Sequence, residues 1–364
     1  MKKNIILFMP VLDIGGVEKN FLVIANNLCK KFQNLTVIST SFLVREKLNK
    51  KIKLKGPKNF LIEKLSRRIK FLICLYYLTV QIILNPKSLV LCFQGNMYCV
   101  FICKLLGVKI LLRSNSSPSG WSKNKFKLML YKFGLSLANG IIVNSIDFKK
   151  ELKKKFNINS KCIYNPLNII EIKKLSKKNI RFNFFKKNHL NIINVGRLED
   201  QKDHLTLIKS INEINNKIKI KLLIIGNGSK QIELLEIIKN MNLEKNIKIL
   251  NNVTNPFPYI IKADLFVLSS LFEGLPNVLL EASCLNKFII STDCPTGPSE
   301  ILEKGKGGIL VPIKDYKKMG EKILFFKKNK KNLKKKTSYS MKRLNRFEYN
   351  SKINEYVKFI KNFI

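Results

Sequence analysis

Short apolar segments alternate with longer amphipathic segments along most of the chain. In the first half, each apolar segment is five residues long and rich in Ile, Leu and Val, and a stretch of helical length separates it from the next. Apolar runs of this length are typical of strands buried on both faces, and their alternation with helices predicts a parallel sheet. The predicted strands are IILFM (5–9), LTVIS (35–39), LVLCF (89–93), KILLR (109–113) and GIIVN (140–144), with CIYNP (162–166) closing this half.

The alternation restarts after a linker rich in Lys and Asn at about 167–188. The strands predicted there are NIINVG (191–196), IKLLIIG (220–226), NIKIL (246–250), DLFVLSS (264–270), KFIIS (287–291) and GGILV (307–311). We therefore expect two doubly wound α/β domains, at 1–168 and 188–340. Two such sheets facing each other would bring the carboxyl ends of both strand sets to one cleft, where ligands of this architecture bind.

Three further apolar patterns lie outside this alternation. Ile353, Tyr356, Val357 and Ile360 recur at helical spacing and predict an amphipathic helix at about 345–364 that packs back on the first domain. The N-terminal apolar run that begins at Ile5 is similar to the apolar part of a signal peptide. Pro10 within it and the absence of a small-residue cleavage site favour a first buried strand instead. The run 71–84 has fourteen residues, too few to span a bilayer, and predicts a core or interfacial helix.

Composition supports a folded protein of two domains. Of the 364 residues, 46% are apolar and 25% are charged, which excludes disordered and collagen-like classes. The net charge is +44, and 60 of the 68 basic residues are Lys. This charge has two alternative explanations. One is biased codon usage that gives a solvated Lys surface, and the other is an anionic partner such as a membrane, a nucleic acid or a phosphorylated substrate. The eight Cys form no C-x-x-C pair, which favours a reducing compartment and no metal site.

Two Gly-containing loops are candidates for phosphate binding. Gly15 and Gly16 follow the first predicted strand and open a helix, where backbone N–H groups can approach a phosphate. A plain strand-to-helix turn is the alternative. The second domain opens with Gly196 and Arg197 and, five residues after this Arg, Lys202. An Arg fork and a Lys point charge on one loop could neutralise a diphosphate.

The strongest motif follows the strand DLFVLSS. It reads LFEGLPNVLLEA (271–282), with Pro276 at the predicted helix start and the backbone N–H groups of Gly274 and Leu275 beside it. Glu273 stands in the loop, and Glu281 lies in an otherwise apolar stretch, where a carboxylate needs a partner. Two carboxylates at this spacing could accept hydrogen bonds from the vicinal hydroxyls of sugars.

These elements together resemble retaining glycosyltransferases of family 4. Glu273 and Glu281 are similar to the family's E-x7-E element, Arg197 and Lys202 to its phosphate clamp, Gly15-Gly16 to its glycine loop, and 293–300 (DCPTGPSE) to its loop after a later strand. The resemblance covers essentially the whole chain in the expected order. It implies the GT-B fold, in which two Rossmann-like doubly wound domains face each other across a cleft.

The resemblance also implies roles for individual residues. Glu273, Arg197 and Lys202 would be catalytic, with Glu273 facing the donor sugar and the two cations stabilising the diphosphate leaving group. Glu281 would hold the ribose hydroxyls. The other donor-binding residues implied are Gly15, Gly16, Gly274, Leu275, Pro276, Asn252 and Val253.

Two absences shape the expected mechanism. Many relatives place a His beside the donor sugar, but the predicted first domain has no His, so Asn115 or Ser114 is expected to contact the sugar or acceptor. The sequence also has no D-x-D motif, which in other glycosyltransferases holds a divalent metal on the diphosphate. We therefore expect no metal and no cofactor, with Arg197 and Lys202 replacing the metal.

The resemblance implies a retaining hexosyltransferase. The expected donor is a nucleotide sugar of the UDP type, and the expected acceptor is a polyprenyl-linked, glycolipid or polysaccharide intermediate. The basic segment 51–70 leads into the apolar run 71–84, which favours peripheral attachment to the anionic inner face of the cytoplasmic membrane. A nucleotide-sugar epimerase on the same fold is one alternative. A nucleic-acid-binding protein is another, but it predicts clustered Arg, and the Lys here is dispersed.

Overall fold

The chain folds into two compact units. The computed structural model describes residues 3–12, 15–41, 43–57, 62, 65–94, 96–115, 118, 121–122 and 124–364. One unit comprises Met1–Pro166 together with Tyr349–Ile364, and the other comprises Leu167–Glu348.

The first unit is built on a parallel sheet with the strand order β3-β2-β1-β4-β5-β6-β7. Its strands are β1 (Ile5–Phe8), β2 (Leu35–Ile38), β3 (Lys53–Lys55), β4 (Leu89–Cys92), β5 (Lys109–Ser114), β6 (Gly140–Val143) and β7 (Lys161–Cys162). Its helices are α1 (Gly16–Leu28), α2 (Leu43–Lys47), α3 (Arg67–Leu84), α4 (Asn96–Leu105), α5 (Lys125–Ser136), α6 (Ile146–Phe156) and, from the end of the chain, α15 (Tyr349–Lys361).

The sheet of the first unit is covered by helices on both faces. Ile5 and Leu7 of β1 pack in a core cluster with residues of α1 and α15, while Ile6 and Phe8 pack in a second cluster with α3, α4, α5 and α6. This explains why β1 is a continuous apolar run. The four apolar residues that predicted the C-terminal helix are all buried in the first cluster. The chain end is therefore part of this unit's core.

The strand β3 was not predicted from the sequence. Lys53 and Lys55 are exposed, and only Leu54 between them faces the interior, so no apolar run marks the strand. It pairs with β2 at the edge of the sheet, where exposed Lys side chains discourage pairing with another chain. The basic segment 51–70 is therefore not one continuous lead into a helix. Lys58 and Lys64 of that segment lie outside the described residues.

The second unit is built on a parallel sheet with the strand order β10-β9-β8-β11-β12-β13. Its strands are β8 (Leu190–Val195), β9 (Ile220–Ile225), β10 (Ile247–Leu250), β11 (Leu265–Leu268), β12 (Phe288–Thr292) and β13 (Ile309–Val311). Its helices are α7 (Ile169–Ser176), α8 (His204–Ile214), α9 (Gln231–Asn240), α10 (Phe257–Lys262), α11 (Asn277–Cys284), α12 (Pro298–Ile301), α13 (Tyr316–Asn329) and α14 (Lys334–Lys342).

The two sheets confirm the predicted pair of Rossmann-like α/β domains. Every strand pair within them is parallel, and a helix links most successive strands. The helix α7 lies inside the stretch expected to be a linker and packs against α10 and α11 of the second unit. No helix in the described part of the chain has the length and apolar character needed to cross a bilayer.

Candidate active site

The loops that carry the predicted phosphate clamp and the predicted carboxylate follow two neighbouring strands. In the second sheet, β8 pairs with β9 on one side and β11 on the other, so the strand order reverses at this point. Ligands of doubly wound domains bind beyond the carboxyl ends of the strands at such a reversal. The chain leaves β8 into Gly196 and Arg197, and it leaves β11 into the loop that holds Glu273.

Lys202 and Glu273 form an ion pair across these two loops. The Lys202 Nζ lies 2.5 Å from Glu273 Oε1, and their side chains are only 13% and 7% exposed. The hydroxyl of Ser270 donates to the same carboxylate oxygen at 2.7 Å. The structure therefore brings together two of the three predicted catalytic side chains in a largely desolvated position.

Arg197 is connected to the same loop through Gln201. The Arg197 guanidinium donates to Gln201 Oε1 at 3.3 Å, and the Gln201 amide donates to the backbone oxygen of Phe272 at 2.8 Å. The Leu271 N–H in turn donates to the Gln201 carbonyl at 2.8 Å. Arg197 itself is exposed. One loop thus presents a solvent-accessible guanidinium and a largely buried ammonium.

The aliphatic carbons of the Lys202 side chain lie next to Gly196. A methyl group at Gly196 would contact three carbons of the Lys202 side chain at 3.4 to 3.6 Å. The aliphatic part of Lys202 therefore packs directly against this glycine. Such packing fixes the direction in which the ammonium group points.

The predicted sugar-binding loop is held in place by the loop after β12. The Thr296 hydroxyl donates to the Glu273 carbonyl at 2.6 Å. Gly297 has a φ of +89°, and a methyl group there would come within 2.6 Å of Pro276 Cδ and 2.8 Å of the Gly274 oxygen. Pro276 stands at the N-cap of α11 and not inside its first turn, so the helix begins one residue later than predicted.

The remaining predicted donor-binding residues occupy separate positions. Glu281 is buried on α11. Asn252 has a φ of +55°, and its side chain and backbone N–H pair with the Asn227 amide at 2.9 Å each. This pair shapes the loop 251–253 after β10, which holds the predicted donor-binding residues Asn252 and Val253. Leu275 is buried beside Gly274.

Two buried titratable groups support the site without carrying a charge. Burial, and then the positive charge of the nearby Lys202, lower the pKa of His204 to about 4. The His204 Nε2 lies 3.1 Å from the Asn194 Oδ1. Burial and then the negative charge of Glu273 raise the pKa of the Cys294 thiol to about 12. Both groups are neutral at neutral pH.

The glycine loop of the first unit is located at the N-terminus of α1. Gly15 is the N-cap residue, in an extended conformation, and Gly16 is the first helical residue. A methyl group at Gly15 would come within 2.5 Å of the Glu18 carboxylate, so this acidic group lies at the positive end of the helix. The preceding residues of the loop, Asp13 and Ile14, lie outside the described part of the chain.

Ser114 is the last residue of β5 in the first unit, and Asn115 follows it directly. Ser114 is buried. Asn115 accepts a hydrogen bond from the Arg113 guanidinium and donates to the Phe93 carbonyl at 3.3 Å. Both ends of the Asn115 amide are therefore engaged within the protein, which fixes its orientation.

Sequence reasoning missed several residues that organise these loops. Ser270, Gln201 and Cys294 surround the Lys202–Glu273 pair, and Arg113 is completely buried below Asn115. Position at the end of the predicted strand 264–270 was the one signal available for Ser270. Among the described residues, no group of His, Cys, Asp or Glu has the arrangement of a metal site.

Comparison with known proteins relates the second unit to glycosyltransferases. Residues 176–344 match the family described as Glycosyl transferases group 1. Over 186 residues the chain is 37% identical to an uncharacterized glycosyltransferase of Methanocaldococcus jannaschii, covering 49% of this chain and 46% of the relative. Over 229 residues it is 31% identical to the N-acetylgalactosamine-N,N'-diacetylbacillosaminyl-diphospho-undecaprenol 4-alpha-N-acetylgalactosaminyltransferase of Campylobacter jejuni, covering 61% of this chain and 62% of the relative. These matches span about half to three fifths of each relative.

The fold of the whole chain is similar to that of solved structures. The crystal structure of Anabaena Alr3699/HepE in complex with UDP-glucose superposes with a TM-score of 0.78 at 15% sequence identity and covers 99% of both chains. At this identity the likeness concerns the fold alone. The two parallel α/β sheets therefore match the predicted GT-B fold, and residues 176–344 are similar to the group 1 glycosyltransferases.

Proposed function

We propose that this protein transfers a hexose from a nucleotide-diphosphate donor to a lipid-linked glycan acceptor, with retention of configuration and without a metal. The Lys202–Glu273 ion pair beside Arg197 is the observation that carries the proposal. It lies at the strand reversal of the unit that is similar to group 1 glycosyltransferases, where ligands of this architecture bind.

The two cations suit a diphosphate leaving group. Arg197 offers a planar fork with several donors, and Lys202 offers a compact charge fixed by packing on Gly196. As the bond from the sugar to the diphosphate breaks, negative charge grows on the phosphate oxygens. Fixed cations that stabilise this growing charge lower the barrier more than they tighten donor binding.

Glu273, which lies against Lys202, would face the donor sugar. Its carboxylate is oriented by Ser270 and Lys202, and its backbone is held by Thr296. A negative charge near the anomeric carbon stabilises the positive charge that develops there. His204 is buried against Asn194 with its pKa lowered to about 4, so the proposal assigns it no role in proton transfer.

Donor and acceptor classes are proposed from the relatives. The Anabaena structure holds UDP-glucose, which supports a UDP-sugar for this chain. The Campylobacter relative acts on a diphospho-undecaprenol-linked sugar, which supports a polyprenyl-linked acceptor. No observation favours an epimerase or a nucleic-acid-binding protein.

A donor screen followed by a transfer assay tests the proposal. A UDP-sugar should raise the melting temperature, and transfer to a polyprenyl-diphosphate-linked sugar should continue in excess EDTA. Loss of transfer in EDTA with recovery in manganese would contradict the assignment of Arg197 and Lys202 as the charge partners. A product of inverted anomeric configuration would contradict retention.

A further inference from the structure

Three helices of the first unit expose large apolar side chains on their outer faces. On α4 the exposed residues recur at the spacing i, i+3, i+7, and Leu105 is 86% exposed. The same kind of spacing occurs on α3 and α5, so each helix carries these residues on one face. The exposed apolar residues are Ile69, Leu72, Tyr76, Ile83 and Leu84 on α3, Tyr98, Phe101 and Leu105 on α4, and Phe126, Met129, Leu130 and Phe133 on α5.

These three outer faces form one surface. Cys74 of α3, Cys99 of α4 and Leu135 of α5 are buried in the same core cluster, so the helices cover the same side of the sheet. α4 packs against both α3 and α5. On the outside, the rings of Phe101 and Phe133 lie 6.3 Å apart and join α4 to α5. We call this surface the α3–α5 face.

The α3–α5 face is cationic as well as apolar. No Asp or Glu occurs between Glu63 and Asp147 in the sequence, although acidic residues are spread through the rest of the chain. A high Lys content alone does not produce such a gap. The exposed cations on the three helices are Arg67, Arg68, Lys104, Lys125, Lys127 and Lys132.

The neighbouring helix α6 lacks the apolar outer face of α3, α4 and α5, since Ile146 at its start is its one exposed large apolar residue. It covers the same side of the sheet through Phe148, Leu152 and Phe156. Most of its exposed positions are Lys, including Lys149 and Lys153. This is the ordinary pattern for a helix whose outer face meets water. Large contiguous apolar surface on the other three helices instead marks a binding site.

We propose that the α3–α5 face docks on the surface of an anionic lipid bilayer. Apolar side chains would enter the boundary between headgroups and acyl chains, while the surrounding cations lie over anionic headgroups. A second copy of the chain is the other occupant that would cover apolar surface. Two such faces would bring like charges together with no acidic residue in the segment to compensate them, which disfavours a dimer. The inference goes beyond the proposed transfer reaction and does not depend on it.

Vesicle sedimentation with matched variants of the full chain tests the proposal. The face variant combines Leu72→Glu, Leu105→Glu and Phe126→Glu. The control variant combines Ile170→Glu, Ile232→Glu and Leu235→Glu, which replace three exposed apolar residues of α7 and α9 and change the net charge equally. Parent and control should bind vesicles of phosphatidylcholine mixed with phosphatidylglycerol. The face variant should bind them at least about tenfold more weakly.

A charge variant separates the electrostatic part of docking from the apolar part. Lys104→Gln, Lys125→Gln and Lys127→Gln keep the apolar residues and should weaken binding to the mixed vesicles, with a smaller dependence on salt. Parent binding to phosphatidylcholine alone should be weaker than to the mixture.

Three outcomes would overturn the proposal. One is equal vesicle binding by the face and control variants. Another is equal binding of the parent to neutral and anionic vesicles. The third is a dimeric parent in light scattering that the face variant converts to a monomer, since a second copy would then be the occupant.

Discussion

Glu273 receives two hydrogen bonds on one carboxylate oxygen, from Lys202 and from Ser270. An incoming diphosphate would compete with Glu273 for the Lys202 ammonium. Glu273→Gln keeps the shape of the side chain and removes the competing charge. We expect binding of UDP to be unchanged or tighter and kcat to fall by at least about tenfold, the pattern of an interaction used in the transition state. Calorimetry with UDP and turnover with the donor measure the two effects.

Glu281 should behave differently, because ribose is present in both the donor and the nucleotide product. A hydrogen bond to a charged group contributes about 1.5–3 kcal/mol, so Glu281→Ala should weaken UDP binding by about tenfold or more. The same calorimetry measures it. If a folded Glu281→Ala variant binds UDP as the parent does, the assignment of Glu281 to the ribose is wrong.

For the preceding prediction, full turnover by Glu273→Gln would exclude a catalytic role for Glu273.

His204 makes stability depend on pH. Its pKa falls from the ordinary 6.5 to about 4 in the fold, so the unfolded chain gains a proton that the folded chain does not. The stabilisation is complete above pH 6.5 and is lost as the pH falls toward about 4, by at most about 1.4 kcal/mol per pH unit. His204→Gln should flatten this part of the profile in urea unfolding. Equal slopes for parent and variant would show that His204 does not titrate as described.

At the scale of elements, the start of α11 depends on the loop that follows β12. Gly297→Ala meets two costs, a left-handed φ of +89° and contacts with Pro276 and Gly274. Gly107→Ala meets only the first, because its φ is +68° and nothing lies within 4 Å of the added methyl group. We expect Gly107→Ala to cost about 1 kcal/mol and Gly297→Ala clearly more, with weaker donor binding for Gly297→Ala alone. Urea unfolding and calorimetry compare the two variants, and equal losses would contradict the packing argument.

The elements themselves were predicted well where they are buried. β1 and β11 are apolar on both faces, and a strand of this kind is visible in the sequence. β3 is a polar edge strand with one half-buried residue, so its pattern does not differ from that of a loop. α7 falls within the predicted linker because its few apolar residues are surrounded by Lys and Asn, which is a composition typical of a linker. β3 forms because it pairs with β2 at the edge of the sheet. α7 is a helix that packs against α10 and α11. Neither neighbour is visible in a local sequence pattern.

At the scale of the whole molecule, the chain end closes the core of the first unit. Tyr356 of α15 is fully buried, and its hydroxyl accepts a hydrogen bond from the Arg113 guanidinium at 2.6 Å. Arg113 also donates to Asn115 and to Asn165. Burial raises the pKa of the Tyr356 phenol, which therefore stays neutral. The buried cation is satisfied by three neutral acceptors that meet only when α15 is docked.

Tyr356→Phe should therefore destabilise the first unit. It leaves a buried guanidinium N–H without an acceptor, which we expect to cost about 1.5–3 kcal/mol. Tyr349→Phe on the same helix is the control, since the Tyr349 hydroxyl accepts from the neutral, half-buried Asn27 amide and should cost about 1 kcal/mol or less. Urea unfolding of the two variants measures the difference. A Tyr356→Phe variant as stable as the control would mean that Arg113 finds another acceptor.

The sequence by itself determined the two α/β domains, their order and the loops that carry the candidate site, because buried strands and Gly-containing turns after them are local patterns. It did not determine which side chains meet. Lys202 and Glu273 are 71 positions apart, and Arg113 and Tyr356 are 243 apart. It also did not determine which apolar face of α3 points outward, since Leu78 is buried and Tyr76 exposed on the same apolar helix. Only the tertiary structure decides such contacts, because they depend on the packing of elements that are distant in the chain.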